Sequence, residues 1–419
     1  MPSKSLILSA VTLTVIFGFA TTAPAFAASK EKVLYNFNCC TDGVYPSGGL
    51  IFDAAGNLYG TTVYGGGNDE GVVFKLSPGG DRTWMETVLH SFSGPDGVRP
   101  DATLIFDAKA NLYGTTTSGG AYGGGTVFQL TPNENGTWTE AVLYSFCSAT
   151  RCTHPRGPNA GLIFDAAGNL YGTTTWGGAY DSGTVFELSP EQNGEWNEKV
   201  LHSFNGNDGR YPYANLIFDA AGNLYGTTAF GGSSGCYIGC GTVFELTPGA
   251  KGKWKEKVLH RFSVNGTNGK DGWNPYAGVI RDTAGNLYGT TEYGGFYYYG
   301  TVFQLAPKAN GEWTERLLRS FYFERYPGAG LVFDARGNLY GETPFGGDGS
   351  ACMGERCGTV FQFAPSTGGK WAYKVLFSFD GGSGFEPTGG LILDTAGNLY
   401  GTTYLDGAYG YGVVFEVTP

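Results

Sequence analysis

Histidines, evenly recurring aspartates and a scatter of aromatic rings are the side chains of this 419-residue chain whose types suit chemistry. His90, His202 and His260 sit in one context, Val-Leu-His-x-Phe, where other stretches place Tyr35, Tyr144, Arg319 or Phe377. A general base is not built from a position that accepts phenylalanine, so these three read as framework residues. His154 stands apart, in a loop with Cys147, Cys152 and Arg156, and has no identifiable catalytic partner. Asp53, Asp107, Asp165, Asp219, Asp282, Asp334 and Asp394 each open an Asp-Ala-Ala-Gly-Asn-like stretch. Such carboxylates suit a calcium or catalytic ring, but a site does not require so many identical copies, and turn formation is the favoured role. Asp42, Asp96, Asp208 and Asp271 share an Asp-Gly-x-x-Pro motif that reads the same way. Serine nucleophile elbows, His-Glu-x-x-His, phosphate loops and dinucleotide fingerprints are absent from the sequence. No catalytic residue, cofactor or metal is therefore expected. A carboxylate pair for glycoside chemistry stays open, because Asp and Glu abound in the irregular loops.

The aromatic residues are the better lead. Tyr64, Trp176, Phe230, Tyr293 and Phe345 recur in register, which favours packing between repeats over binding. Trp273 and the run Phe296-Tyr297-Tyr298-Tyr299 recur in no other copy and are expected to be exposed and specific. Planar rings beside polar groups suit stacking on sugar rings. The candidate ligand-binding set is Trp273, Tyr276, Trp176, Tyr297, Tyr298, Tyr299, Tyr211, Arg210 and His154.

What positions these residues is a repeat. Gly-Asn-Leu-Tyr-Gly, or a close variant, places an asparagine at 57, 111, 169, 223, 286, 338 and 398. A period of about 50 residues with four short apolar runs per copy is a propeller blade signature. The four runs are Gly-Leu-Ile-Phe-Asp, Asn-Leu-Tyr-Gly-Thr-Thr, Gly-Thr-Val-Phe-Glu-Leu and Trp-x-Glu-x-Val-Leu-x-Ser-Phe, with turn residues between them. The mature chain would begin on a fourth run (Glu31 to Phe37) and it ends on a third (Gly412 to Val417). Pairing those two completes the last blade and leaves no open edge. The expected fold is all-β: a seven-bladed β-propeller of four-stranded antiparallel blades, closed by the N-terminal strand. On one side of the disc lie the uniform Asp turns. The other side holds the loops of variable length and all the cysteines, and variable loops on a rigid frame are where binding resides.

Lys4, an apolar run from Leu6 to Ala20 and Ala25-Phe26-Ala27 make residues 1–27 a secretory signal peptide, leaving 28–419 as a single propeller domain. The formal charge of −11 argues against nucleic acid as a partner. Eight cysteines in an exported chain point to disulfides. Local pairs are Cys147 with Cys152, Cys236 with Cys240, and Cys352 with Cys357. The adjacent Cys39 and Cys40 could bridge each other, stay reduced or pair elsewhere. Metal-site spacing is not met, since three of the four pairs have no histidine beside them.

Asp-Ala-Ala-Gly-Asn-Leu-Tyr-Gly-Thr-Thr, followed by Gly-Gly and Gly-Thr-Val-Phe-x-Leu-x-Pro, resembles the GloVer tandem-repeat family of exported bacterial proteins across essentially the whole mature chain. The resemblance implies a repeat architecture and carries over no activity or site residue. Some members have C-terminal surface anchors. This sequence stops at its last strand, so an unanchored protein is expected. Together these features predict a secreted or periplasmic monomer without a membrane span. It would bind an extracellular ligand, a polysaccharide being the class that fits, through the variable face. The competing expectations are a polysaccharide lyase or glycoside hydrolase on that face, and a structural or protein-interaction scaffold.

Overall fold

Each repeat folds into one antiparallel sheet whose strands lie side by side in chain order. The computed structural model describes residues 29–80, 83–147, 154–232, 235–264, 271–348, 351–352 and 355–419. The expected signal peptide and Cys152 lie outside the described residues. The third blade shows the pattern: Ile163–Phe164, Leu170–Thr174, Thr184–Pro190 and Trp196–Ser203. Seven such blades make a ring, a seven-bladed β-propeller, and the helical content among the described residues is two 3-10 turns at Ala250–Gly252 and Thr367–Gly369. The ring closes through the chain's ends. Lys30–Asn36 pairs antiparallel with Val413–Thr418, from Lys30 opposite Thr418 to Asn36 opposite Val413.

The core is divided among the seven contacts between neighbouring blades. The Leu-Tyr-Gly-Thr-Thr stretch (Leu-Tyr-Gly-Glu-Thr in the sixth blade) that forms the second strand is buried throughout in every blade, which explains its composition. Its Leu and Tyr fill the core. Its first threonine ties blades together, as where Thr115 Oγ1 donates to Ala160 O at 3.0 Å. Its glycine faces a phenylalanine of the third strand: a Cβ on Gly172 would lie 2.7 Å from Phe186 Cζ, so no other residue fits without a shift.

One side of the disc is built from repeated Asx turns. Asp53 Oδ1 accepts the N–H groups of Ala55 and Asn57 at 2.9 Å, and Oδ2 accepts from Asn57 Nδ2 and Tyr59 Oη at 2.7 and 3.0 Å. Asp107, Asp165, Asp219, Asp334 and Asp394 repeat this set, and Asp282 keeps most of it. Those carboxylates are consumed by turn formation. The opposite side carries the variable loops. Cys236–Cys240 and Cys352–Cys357 are disulfides in second-to-third loops. Cys147 is also disulfide-bonded. Cys39 and Cys40 are free thiols, the reduced one of the three alternatives the sequence leaves open for this pair. Both have positive φ, 87° and 70°, within a tight turn where the Thr41 N–H donates to Cys39 O. Along the axis, the first strands and the residues before them enclose a channel of about 440 Å³ lined by all seven blades.

Candidate functional site

Every fourth-to-first loop ends in a residue followed by proline, and that residue has positive φ in all seven blades. The positions are Tyr45, Arg99, Gly157, Tyr211, Asn274, Tyr326 and Glu386, with φ between 56° and 66°. Backbone bonds to the neighbouring blade hold them there. Arg99 N–H donates to Glu70 O at 2.9 Å, and Arg99 O accepts from Thr117 N–H at 3.0 Å. A non-glycine residue in this region carries a strain of about 1–3 kcal/mol. Glycine would relieve it, yet glycine stands at only one of the seven. The others place tyrosine, arginine, asparagine or glutamate around the axial opening.

That opening is a cavity of about 630 Å³, lined by Ser47, Val63, Tyr64, Arg99, Asp101, Thr117, Ser118, Asn159, Trp176, Glu386, Thr388 and Tyr404. It shares Ser47, Asp101, Asn159 and Thr388 with the axial channel, so it is the channel's mouth on the variable side. The Arg99 guanidinium lies 4.9 Å from the Tyr64 ring centre. Tyr45 stacks on Tyr404 at 4.9 Å and meets Tyr64 edge-on at 6.1 Å. Asp101 accepts a hydrogen bond from Ser47 Oγ. Burial raises the Asp101 carboxyl above its ordinary range, against the pull of Ser47 and Arg99. Burial, reinforced by Asp406, raises Glu386 as well. The mouth thus combines flat rings, a guanidinium and two carboxyls that burial raises above their ordinary range.

The nine expected ligand-binding residues do not converge on one site. Trp176 lines the mouth and is 36% exposed. Tyr211 lies 6.5 Å from it, with the Arg210 guanidinium 5.5 Å from the Tyr211 ring. Tyr276 belongs to the channel wall and packs on Tyr213 and Phe230. Trp273, expected to be exposed, is half-buried: it stacks on Tyr293 and walls a separate cavity of about 380 Å³ beside the Cys236–Cys240 bridge. Tyr297 and Tyr298 are exposed on the rim, where Tyr297 packs against Tyr322, and Tyr299 lies under Arg325. His154 is exposed and lies near Glu198, whose carboxyl burial raises against a hydrogen bond from Tyr144.

Sequence reasoning missed Arg99, Asp101, Asn159, Glu386 and Tyr404. For all but Tyr404, the available signal was the residue on either side of each loop-ending proline, which differs from copy to copy inside an otherwise uniform repeat. It also missed Glu342, which replaces the first threonine of a second strand. Glu342 is fully buried, accepts the Gly390 N–H at 3.0 Å through Oε2 and leaves Oε1 without a partner. Burial pushes its carboxyl up to about 8.

The Gloeobacter/Verrucomicrobia repeat model matches residues 14–236, 139–269 and 238–419. No curated protein matches the sequence. Among solved structures, an ancestral GH74 enzyme is similar at 13% identity and a TM-score of 0.57, over 90% of this chain and 48% of that one. A fungal alcohol oxidase of the AA5 family, in complex with copper, is 14% identical with a TM-score of 0.55, over 94% and 77%. The extracellular domain of a hybrid two-component system from B. thetaiotaomicron is 12% identical with a TM-score of 0.51. This chain spans 40% of that protein's length. Likeness at these identities concerns the propeller fold alone. Among the described residues, no helix is long and apolar enough to cross a membrane.

Proposed function

This chain belongs to the Gloeobacter/Verrucomicrobia repeat family, and we propose that it binds an extracellular polysaccharide in the axial mouth of its variable face. One observation carries the reading. In a ring whose frame repeats blade after blade, the mouth does not repeat, and it sets Tyr64, Trp176 and Tyr404 beside Arg99, Asp101, Asn159 and Glu386. Rings of this kind stack on the apolar faces of sugars, while the polar groups take hydroxyls. A volume of about 630 Å³ lies in the range of small-ligand sites and suits a few sugar units of a longer chain. The disulfides and the likeness to an extracellular domain fit an extracellular or periplasmic location. Isothermal titration against a panel of soluble polysaccharides tests the proposal. The wild type is expected to bind at least one polymer, and Trp176→Ala and Arg99→Ala are each expected to weaken binding about tenfold or more. Silence across the panel would end this reading.

The two raised carboxyls in the mouth favour a second reading, a glycoside hydrolase or polysaccharide lyase. A carboxyl raised by burial suits a general acid, with a second carboxyl acting as base or nucleophile. Release of reducing ends or unsaturated products from a bound polymer, abolished in Glu386→Gln, would mark an enzyme. Binding without release marks a binding protein.

A further inference from the structure

On the rim of the variable face, the fourth strand of a blade meets its following loop and the fourth strand of the next blade. Three of these junctions gather a histidine, an aspartate and a glutamate. At two of them the histidine is already satisfied. His90 Nε2 bonds Asp96 Oδ2 at 3.0 Å and His202 Nε2 bonds Asp208 Oδ2 at 3.1 Å, while the other aspartate oxygen accepts the N–H of Ser93 or Asn205.

The junction of the fourth and fifth blades differs. Its loop is longer, with Asp271 eleven positions after His260 where Asp96 follows His90 by six. His260 Nε2 stops 3.4 Å from Asp271 Oδ2 and makes no hydrogen bond. Asp271 Oδ1 is also buried without a partner, and it faces Glu315, whose Oε1 is unpartnered like that of the matching Glu86, Glu140, Glu198 and Glu256. The Asp271 side chain is only 3% exposed, and Ser263 N–H donates to its Oδ2 at 3.0 Å. One ligand atom from each of the three residues lies within 4.8 Å of the other two. His260 Nε2, Asp271 Oδ1 and Glu315 Oε1 are thus buried close together, each without a hydrogen bond of its own, which is costly unless something positive sits among them.

We propose that His260, Asp271 and Glu315 bind a divalent first-row transition ion, zinc or manganese, that clamps the fourth blade to the fifth. One imidazole nitrogen with two carboxylate oxygens is a donor set for these ions and a poor one for calcium, which takes six to eight oxygens. The ligands come from two repeats, so no linear spacing in the sequence announces them. Asp271 lies two residues before Trp273, whose backbone pairs with Tyr293–Gly294. The ion therefore also fixes the wall of the side cavity that Trp273 shares with Phe230 and Asn274.

The test is titration of the full chain, after dialysis against EDTA, with zinc chloride or manganese chloride, and with calcium chloride as the contrast. Binding of one zinc or manganese ion per chain at the tightest site is expected, with a rise of a few degrees in melting temperature. His260→Phe and Glu315→Gln are each expected to weaken that site by about tenfold or more, and His90→Phe to leave it unchanged. Phenylalanine already occupies the matching position at Phe377, so His260→Phe keeps the frame. Absence of binding, or binding untouched by both variants, overturns the proposal. A metal-free Glu315→Gln protein that melts higher than a wild type unable to bind metal would instead assign the junction to a proton shared by Asp271 and Glu315.

Discussion

Trp176 and Gly157 determine each other's identity. The indole lies so close to the loop that a Cβ on residue 157 would sit 2.6 Å from its ring, and φ there is +66°. The close indole demands glycine here, while the φ alone does not, since the six matching loop-ending positions adopt it with larger residues. Gly157→Ala should therefore displace the indole and destabilise the fold by about 1–3 kcal/mol. Trp176→Ala removes a partly exposed ring and should leave stability nearly intact while lowering ligand affinity. Urea unfolding of both variants beside the titration described above checks this. A Gly157→Ala protein as stable as the wild type, with affinity unchanged, would show that the indole's placement does not matter. Trp176 was legible in the sequence as one ring of a recurring set. Its role at the mouth was not, because Arg99, Asp101 and Glu386 join it only when loops from separate blades meet at the axis.

At the scale of the element, the strand Lys30–Asn36 has a task no other fourth strand has, since it joins the two ends of the chain. Its partner Val413–Thr418 is otherwise an unpaired edge with buried Val413, Val414, Phe415 and Val417 behind it. An open edge of this kind recruits other strands. Deleting residues 28–37 is expected to give a protein that associates or aggregates, as read by light scattering. Moving the same segment behind Pro419 through a short Gly-Ser linker should restore a closed ring with the scattering of the wild type. A deletion variant with wild-type scattering and an unchanged melting temperature would show that closure contributes little. This element was legible in advance because the apolar pattern is strict and the two incomplete ends are complementary. Trp273 was misjudged for the converse reason. It belongs to no repeat, so nothing in the pattern signals that it stacks on Tyr293.

For the whole molecule, two populations of carboxyls, one partly exposed in the turns and one more deeply buried, set opposite limits on stability. Asp53, Asp107, Asp165, Asp219, Asp334 and Asp394 feel burial first, which would raise their carboxyls, but hydrogen bonds from asparagine, backbone N–H and tyrosine more than offset it and hold them below the ordinary value of 3.8. Their contribution is present above that value and is lost as pH falls through the folded one. Glu31, Glu86 and Glu140 behave oppositely. Burial, then repulsion from Asp380, Asp42 and Asp96 in turn, pushes each from 4.5 to about 7, and burial takes Glu342 to about 8. Between 4.5 and those values the folded state holds protons that the unfolded chain releases. Stability therefore falls as pH rises through this window and levels off above it. The expected optimum lies at about pH 4–5, lower than for most proteins. Glu342 is fully buried and should supply a few kcal/mol of the decline by itself, at about 1.4 kcal/mol per unit of displacement. Glu342→Gln keeps an acceptor for Gly390 N–H but cannot ionise, so it should flatten the upper part of the curve and make the protein more stable than wild type near pH 8. Urea midpoints of both proteins across this range decide the matter, and a wild-type midpoint that holds constant from about pH 5 to 8 would mean these glutamates are hydrated in solution and exert no such pull.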